Sequence, residues 1–153
     1  MQQDNPLSSM QILEKMFDVE IAFMASKEKD SAILAEAFHT EVVVHEPTSV
    51  PYAGDWRGLA GVAELMHLMS ETFSTFEVEN LTCSGPPASM HVSCTLRMVS
   101  RKTGISVSQP FAQLLRFQEG LLIEATPFYF DTDEIKAALE VPPVAEVLAT
   151  EAL

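Results

Sequence analysis

Cysteine is scarce in this sequence: Cys83 and Cys94 are the only two in 153 residues. Two cysteines cannot build the disulfide framework of a small secreted domain. They sit on two strand-like runs joined by SGPPAS and could lie across from each other, but buried free thiols are the expectation. Positive charge is scarce as well, with 9 Lys and Arg against 22 Asp and Glu and a formal net charge of -13. Such a field repels phosphate backbones and anionic headgroups, which argues against nucleic acid and membrane surfaces as partners. A polyanionic substrate would meet the same repulsion, so a small, neutral, apolar molecule is the expected ligand. No apolar run reaches the roughly 20 residues that cross a bilayer. The opening MQQDNPLSSM lacks the basic and apolar stretches of a signal peptide, and a cytoplasmic protein is expected. Internal repeats and long linkers are missing. No His, Cys and carboxylate spacing suggests a metal site, no cofactor is implied, and neither cysteine shares an inner face with a histidine.

What is present is apolar surface. Hydrophobic residues make up 47% of the chain and the mean hydropathy is +0.13, enough for the core of one domain spanning residues 1–153. A helix is predicted over 8–25, with Ile12, Met16, Val19 and Phe23 along one side and Met10, Leu13, Phe17 and Met24 along another. Asp30 is a candidate N-cap for a short helix over 31–38. A strand over 41–46 and a loop over 47–58 follow. Leu59, Val62, Leu65, Met66, Met69 and Phe73 then recur at helical spacing. Four strand-like runs, 76–83, 89–100, 105–117 and 121–130, are joined by Gly- and Pro-containing turns. Asp131 to Glu134 resembles a capping box that opens a last helix through Leu139. Pro142 and Pro143 stop it, leaving a tail of VAEVLATEAL. Helices followed by a run of strands predict an α+β fold, not a parallel α/β sheet. The expectation is a strongly curved antiparallel sheet wrapped around three N-terminal helices, with a C-terminal helix and a pocket between the layers.

Strand alternation indicates which polar residues face inward. From Ile105, the odd positions Val107, Phe111, Leu115 and Phe117 form an apolar row interrupted by Gln109 and Gln113. In the last strand, Glu124 and Thr126 mark the polar side, which sends Leu121, Ile123, Ala125, Pro127 and Tyr129 inward. Met90, Val92, Cys94, Leu96 and Met98 form the inner face of the run before. The stretch VVVHEP is ambiguous: either His45 or Glu46 points into the core, and periodicity does not choose. Burying an unpaired neutral polar group costs on the order of 1–3 kcal/mol, and a carboxylate more. Polar groups converging in apolar surroundings are the signature of a small-molecule pocket.

The segments FHTEVVVHEP and PFAQLLRFQEGLLIEATPFYFDT resemble the nuclear transport factor 2-like superfamily, in its SnoaL-like polyketide cyclase and ketosteroid isomerase branch. The resemblance implies a cone-shaped barrel with a deep apolar pocket, often a homodimer through the outer face of the sheet. It also resolves the strand end: the isomerases carry their general-base aspartate just before a proline, and Glu46 precedes Pro47 here, so Glu46 is expected inward. The isomerases' first-helix tyrosine falls on Ala22, their protonated aspartate on Gln113 and their third-helix tyrosine on Met66.

The resulting candidates are Glu46 as base, with Gln113 and Tyr129 as hydrogen-bond donors. Tyr52 and Trp56 are expected to close the pocket as a lid or to anchor the loop. His45, Ala22, Met66, Gln109 and Phe111 complete the candidate ligand set. Three functions remain open on these residues. They are a cofactor-independent isomerase or cyclase acting on an apolar carbonyl or polyketide-like compound, a binding module with the same pocket, and a dimer-forming domain whose pocket is filled.

Overall fold

The first long helix, α1 (Ser9–Ala25), starts where Ser8 supplies a full capping box. The Ser8 hydroxyl accepts from the Gln11 amide at 3.1 Å, and the Gln11 side chain accepts from the Ser8 amide at 2.8 Å, which satisfies donors a helix start otherwise leaves unpaired. Both apolar stripes of α1 are used: Ile12, Leu13, Met16, Phe17, Val19 and Phe23 are all buried. The Lys29 ammonium closes its far end on the Met24 and Ser26 carbonyls. The computed structural model describes residues 8–140. The expectations for the first seven residues, and for Pro142, Pro143 and the tail after them, lie outside the described residues.

After a 3-10 turn (Ser31–Glu36) come β1 (Phe38–Glu46), β2 (Gly54–Arg57) and α2 (Gly58–Thr72). They are followed by β3 (Phe73–Ser84), β4 (Met90–Ser100), β5 (Ser106–Gln118), β6 (Leu121–Tyr129) and α3 (Thr132–Leu139). The strands form one six-stranded sheet in the order β2-β1-β6-β5-β4-β3. The sheet curves around α1 and α2 as a cone-shaped α+β barrel, and their facing surfaces make one core.

Five local expectations change. The sheet is antiparallel except between β1 and β6, which pair in parallel; strands so far apart in sequence share no turn that could announce their pairing. The expected second helix over 31–38 is a 3-10 turn that ends at Glu36, and Phe38 already belongs to β1. The loop over 47–58 contains β2, whose His45↔Asp55 and Glu46↔Gly54 pairs extend the ladder to the end of β1. Ile105, expected inward, lies just before β5 and is 46% exposed. In β6 the register shifts opposite Arg116 and Phe117, so Arg116 pairs with Glu124 and Phe117 with Leu122. Ile123 is the extra residue of that bulge. Leu122 therefore turns inward, 2% exposed, in place of the expected Leu121 and Ile123, and the pattern from Ala125 onward keeps its phase.

Two glycines set the turns. Glu119 (φ 55°) and Gly120 (φ 78°) both lie in the left-handed region between the paired Gln118 and Leu121, the geometry of a two-residue type I′ hairpin. Gly85 (φ 88°) leaves no room for a side chain, because a Cβ there would sit 2.4 Å from the Ser89 carbonyl oxygen. Cys83 and Cys94 are both free, and each is paired in the ladder with another residue, Val92 and Phe111 respectively.

Candidate active site

The taper of the sheet leaves a hollow between β1, the β4–β6 meander and the two long helices. Its walls are apolar: Met16 and Phe17 from α1, Met66 and Met69 from α2, Phe38 and Val44 from β1, and Phe111 from β5. With its mouth it encloses about 550 Å³ of atom-free space, but only about 50 Å³ of that admits the centre of a water molecule. That is room for on the order of two waters. A larger occupant needs the walls to give, and three unbranched methionines are the side chains best able to do so.

Glu46 ends β1 and points into this hollow with 8% of its surface exposed. Inward alternation along β1 (Phe38, Val42, Val44, Glu46) puts it on the core face, and the pairing with Gly54 fixes its backbone. The Tyr129 hydroxyl donates to Glu46 Oε1 at 3.2 Å, and the Tyr52 hydroxyl lies 3.0 Å from that of Tyr129. Phe111 holds the Tyr129 ring edge-on, with centroids 5.0 Å apart. Burial pushes the Glu46 carboxyl up to about 8, helped by a second carboxyl, Glu20, while the Tyr129 hydrogen bond pulls it down. Both tyrosines are raised by burial, so each keeps its proton as a donor.

Glu20 is the residue that sequence reasoning missed. It lines the hollow from α1, and burial of its carboxyl raises it to about 7, although the residue keeps part of its surface open. No side chain among the described residues bonds to it. The signal was present in the sequence: Leu13, Met16 and Phe17 precede Glu20 by seven, four and three positions, and Phe23 follows by three. A carboxylate in that slot interrupts the very stripe that faces the core.

The other candidates divide. Gln113, Met66 and Phe111 line the hollow with Glu46 and Tyr129. The Gln113 amide has no protein partner among the described residues and is free to meet a ligand. Tyr52 is 1% exposed and stands behind Tyr129, so it supports the site from within and is no lid. Trp56 does not line the hollow either; its indole N–H donates to the Tyr52 carbonyl at 2.9 Å, which anchors the loop.

Three expected ligand contacts are corrected. Ala22 is exposed, because it continues the solvent-side row of Lys15 and Asp18 around α1 and lines an outer groove with them. Gln109 is buried at 4% but fully engaged elsewhere. Its Nε2 donates to the Asp131 carbonyl at 3.0 Å and to Glu134 Oε1 at 3.1 Å, and its Oε1 accepts from the Asp131 amide at 3.0 Å. It clamps the start of α3, where Asp131 caps the Asp133 and Glu134 amides. His45 lies on the outer face of the sheet, between Asp55 (2.7 Å) and Glu124 (3.0 Å). The Asp55 hydrogen bond first, then that of Glu124, holds its pKa above the usual histidine range. No cluster of three or more His, Cys, Asp or Glu positioned for a metal occurs among the described residues, and no helix among them is long and apolar enough to cross a membrane.

The arrangement can hold a small apolar molecule against one carboxyl that takes a proton, with neutral donors around it. Comparison with known proteins agrees with the architecture. The model of the SnoaL-like domain matches residues 19–125. A nuclear transport factor 2-like protein from Burkholderia xenovorans LB400 superposes with a TM-score of 0.69 at 17% identity, covering 85% of this chain and 97% of that one. A provisionally assigned SnoaL-like polyketide cyclase from Jannaschia sp. CCS1 gives 0.69 at 18% identity over 94% and 100% of the two chains. A hypothetical protein with a ketosteroid isomerase-like fold from Catenulispora acidiphila DSM 44928, in complex with trimethylamine, gives 0.61 at 10% identity over 75% and 85%. No curated protein matches the sequence.

Proposed function

The chain belongs to the SnoaL-like domain family, and from that premise we propose that it is a cofactor-independent acid/base enzyme. Its reaction is an isomerisation or cyclisation of a small apolar carbonyl or polyketide-like compound. One observation carries the reading: Glu46 is a buried carboxyl at the end of β1, aimed into an apolar hollow and held by the Tyr129 hydroxyl at 3.2 Å. A carboxyl raised toward neutrality can take a proton from carbon and return it, whereas an ordinary carboxylate is too weak a base. Gln113 and Tyr129 supply neutral donors from the neighbouring strands β5 and β6. The Jannaschia protein provisionally assigned as a SnoaL-like polyketide cyclase shares this fold, and that assignment motivates the polyketide-like class.

Solvent-deuterium exchange into cyclohexanone, followed by proton NMR, tests the assignment without knowledge of the natural substrate. Glu46→Gln preserves size and the Tyr129 contact and is expected to lower the exchange rate by about 10²–10⁴-fold. Exchange at the wild-type rate in that variant overturns the reading. The alternative is a binding module that performs no chemistry. It is favoured by the neutral Gln113 amide, a weaker donor than a carboxylic acid, which lines the hollow at the position matched to the isomerases' protonated aspartate; saturable binding of a ligand with no exchange would select it.

A homodimer through the outer face of the sheet is part of the same proposal. Leu114 (44% exposed) and Phe128 (51%) stand on that face on adjacent strands, and Phe130 (75%) follows them. A patch of such residues is an expected association surface. Light scattering is expected to give twice the monomer mass, falling to one with Phe128→Glu; a monomeric wild type rules the dimer out.

A further inference from the structure

Glu46 has a second carboxyl across the hollow, and nothing in the reading above uses it. Glu20 projects from α1 into the same hollow. Among the described residues, no cationic side chain lines the hollow with it. The α2 wall presents Val62, Leu65 and the two methionines, β3 and β4 present Phe76, Val78 and Leu96, and β5 presents the neutral Gln113. The titratable groups that share the hollow with it are Glu46 and Tyr129, with Tyr52 bonded behind Tyr129. An acid without a cation and without a protein donor is held in its neutral form by its surroundings, and a neutral carboxylic acid is a strong hydrogen-bond donor. The tyrosine pair serves Glu46, not Glu20.

We infer that Glu20 is the second acid/base residue of the site, donating its proton to the oxygen of a small neutral ketone or enone while Glu46 takes one from the adjacent carbon. This rests on the reading of Glu46 as base. In the step, the Glu46 carboxylate accepts the α-proton and the C–H electron pair becomes the C=C bond. The carbonyl π pair moves to oxygen, and that oxygen takes the Glu20 proton. The products are a neutral enol, protonated Glu46 and ionised Glu20. Reversal at the same or a conjugated carbon restores both residues. The division of roles follows from hydrogen bonding. With the Tyr129 bond already acting on it, Glu46 still holds a proton more tightly than Glu20 in the empty hollow; a ligand oxygen that accepts from Glu20 favours the neutral form of Glu20, and so draws the shared proton there and leaves Glu46 ionised. The reactive state holds one proton between the two carboxyls, and the rate passes through a maximum between their two ionisations, near 7 and 8.

The test uses the full chain, Glu20→Gln and Glu46→Gln, para-substituted phenols as enol mimics, trimethylammonium chloride as a cationic probe, and cyclohexanone exchange. Thermal melts establish that each variant is folded. The expected result is that Glu20→Gln binds the phenols about tenfold or more weakly, whereas Glu46→Gln does not. Glu20→Gln should also turn the bell-shaped pH profile of exchange into a single ionisation. Unchanged phenol binding in Glu20→Gln overturns the inference. So does trimethylammonium binding more tightly than the phenols and losing that affinity in Glu20→Gln, because Glu20 would then act as an ionised counter-charge. Phenols bound through Glu20 by a wild type that exchanges no cyclohexanone would uphold the donor and sink the reading of Glu46 as a base, so the two failures are distinguishable.

Discussion

Raising the pH from about 4.5 to about 8 is expected to destabilise the wild-type protein by a few kcal/mol, and Glu46→Gln is expected to remove most of that loss. Glu46 ionises near 4.5 in an open chain and near 8 in the fold, chiefly because burial disfavours the charge. Below 4.5 both states hold the proton and the group contributes nothing. Between the two values the folded state still binds a proton that the unfolded chain has released, so each step up in pH favours unfolding. Above 8 the penalty is complete. Every tenfold difference in proton affinity between the folded and unfolded chain is worth about 1.4 kcal/mol.

Glu20, raised in the same direction to about 7, adds a smaller slope, discounted because part of the residue meets water. His45 overlaps the window. Its raised value means that stability present below about 6.5 is lost as the pH climbs through its folded pKa. It sits on the other face of the sheet, however, and is unchanged in the Glu46 variant. The lowered values of Asp55 and Glu124 act only at acid pH, below their ordinary range. Urea unfolding of both proteins at several pH values isolates the Glu46 contribution as the difference between two curves. Parallel curves would show that the carboxyl is solvated and the hollow open to bulk water.

Replacing Phe111 with alanine is expected to cost about 3–5 kcal/mol, the range for deleting a buried phenyl ring from a packed core. Phe111 is 7% exposed and lies at the centre of β5, facing the hollow. Its ring also supports Tyr129 edge-on at 5.0 Å, an arrangement worth about 0.5–1.5 kcal/mol beyond the buried area. The change therefore enlarges the hollow and releases the tyrosine that donates to Glu46. Equilibrium unfolding gives the cost, and the Glu46 ionisation followed by NMR gives the functional consequence. Since the Tyr129 bond lowers that pKa, losing it raises the value further, unless water admitted to the enlarged hollow solvates the carboxylate. A cost below about 1 kcal/mol would mean that Phe111 does not pack as core, and an unmoved Glu46 would mean that it does not fix Tyr129.

Wherever a residue's role follows from its neighbours along the chain, the sequence is readable. Ser8 and Gln11 announce a helix start because a capping box is three residues long. Met90 to Met98 announce an inner strand face because pleating alternates every side chain. The apolar row of β5 is readable for the same reason, and it places Gln113 and Phe111 on one wall. The strand end VVVHEP is not resolvable in this way, since His45 and Glu46 follow equally apolar neighbours; family resemblance chooses Glu46. Gln109 shares the inner face of β5 with Gln113, yet its amide is spent on α3, a partner 22 residues away that no spacing rule reveals.

Sequence alone determined the α+β order of elements, the apolar inner faces, the excess of acid and the carboxyl before Pro47. Those follow from periodicity, capping and composition, which act over a few residues. Tertiary structure alone decided that β1 lies beside β6, that a bulge at Ile123 turns Leu122 inward, that Ala22 faces solvent, and that Glu20 meets the same hollow as Glu46. Each of these depends on which surfaces meet when distant segments pack. A carboxyl's ionisation is set by that packing too, since it responds to the dielectric and the donors assembled around it and not to the residues beside it in the chain.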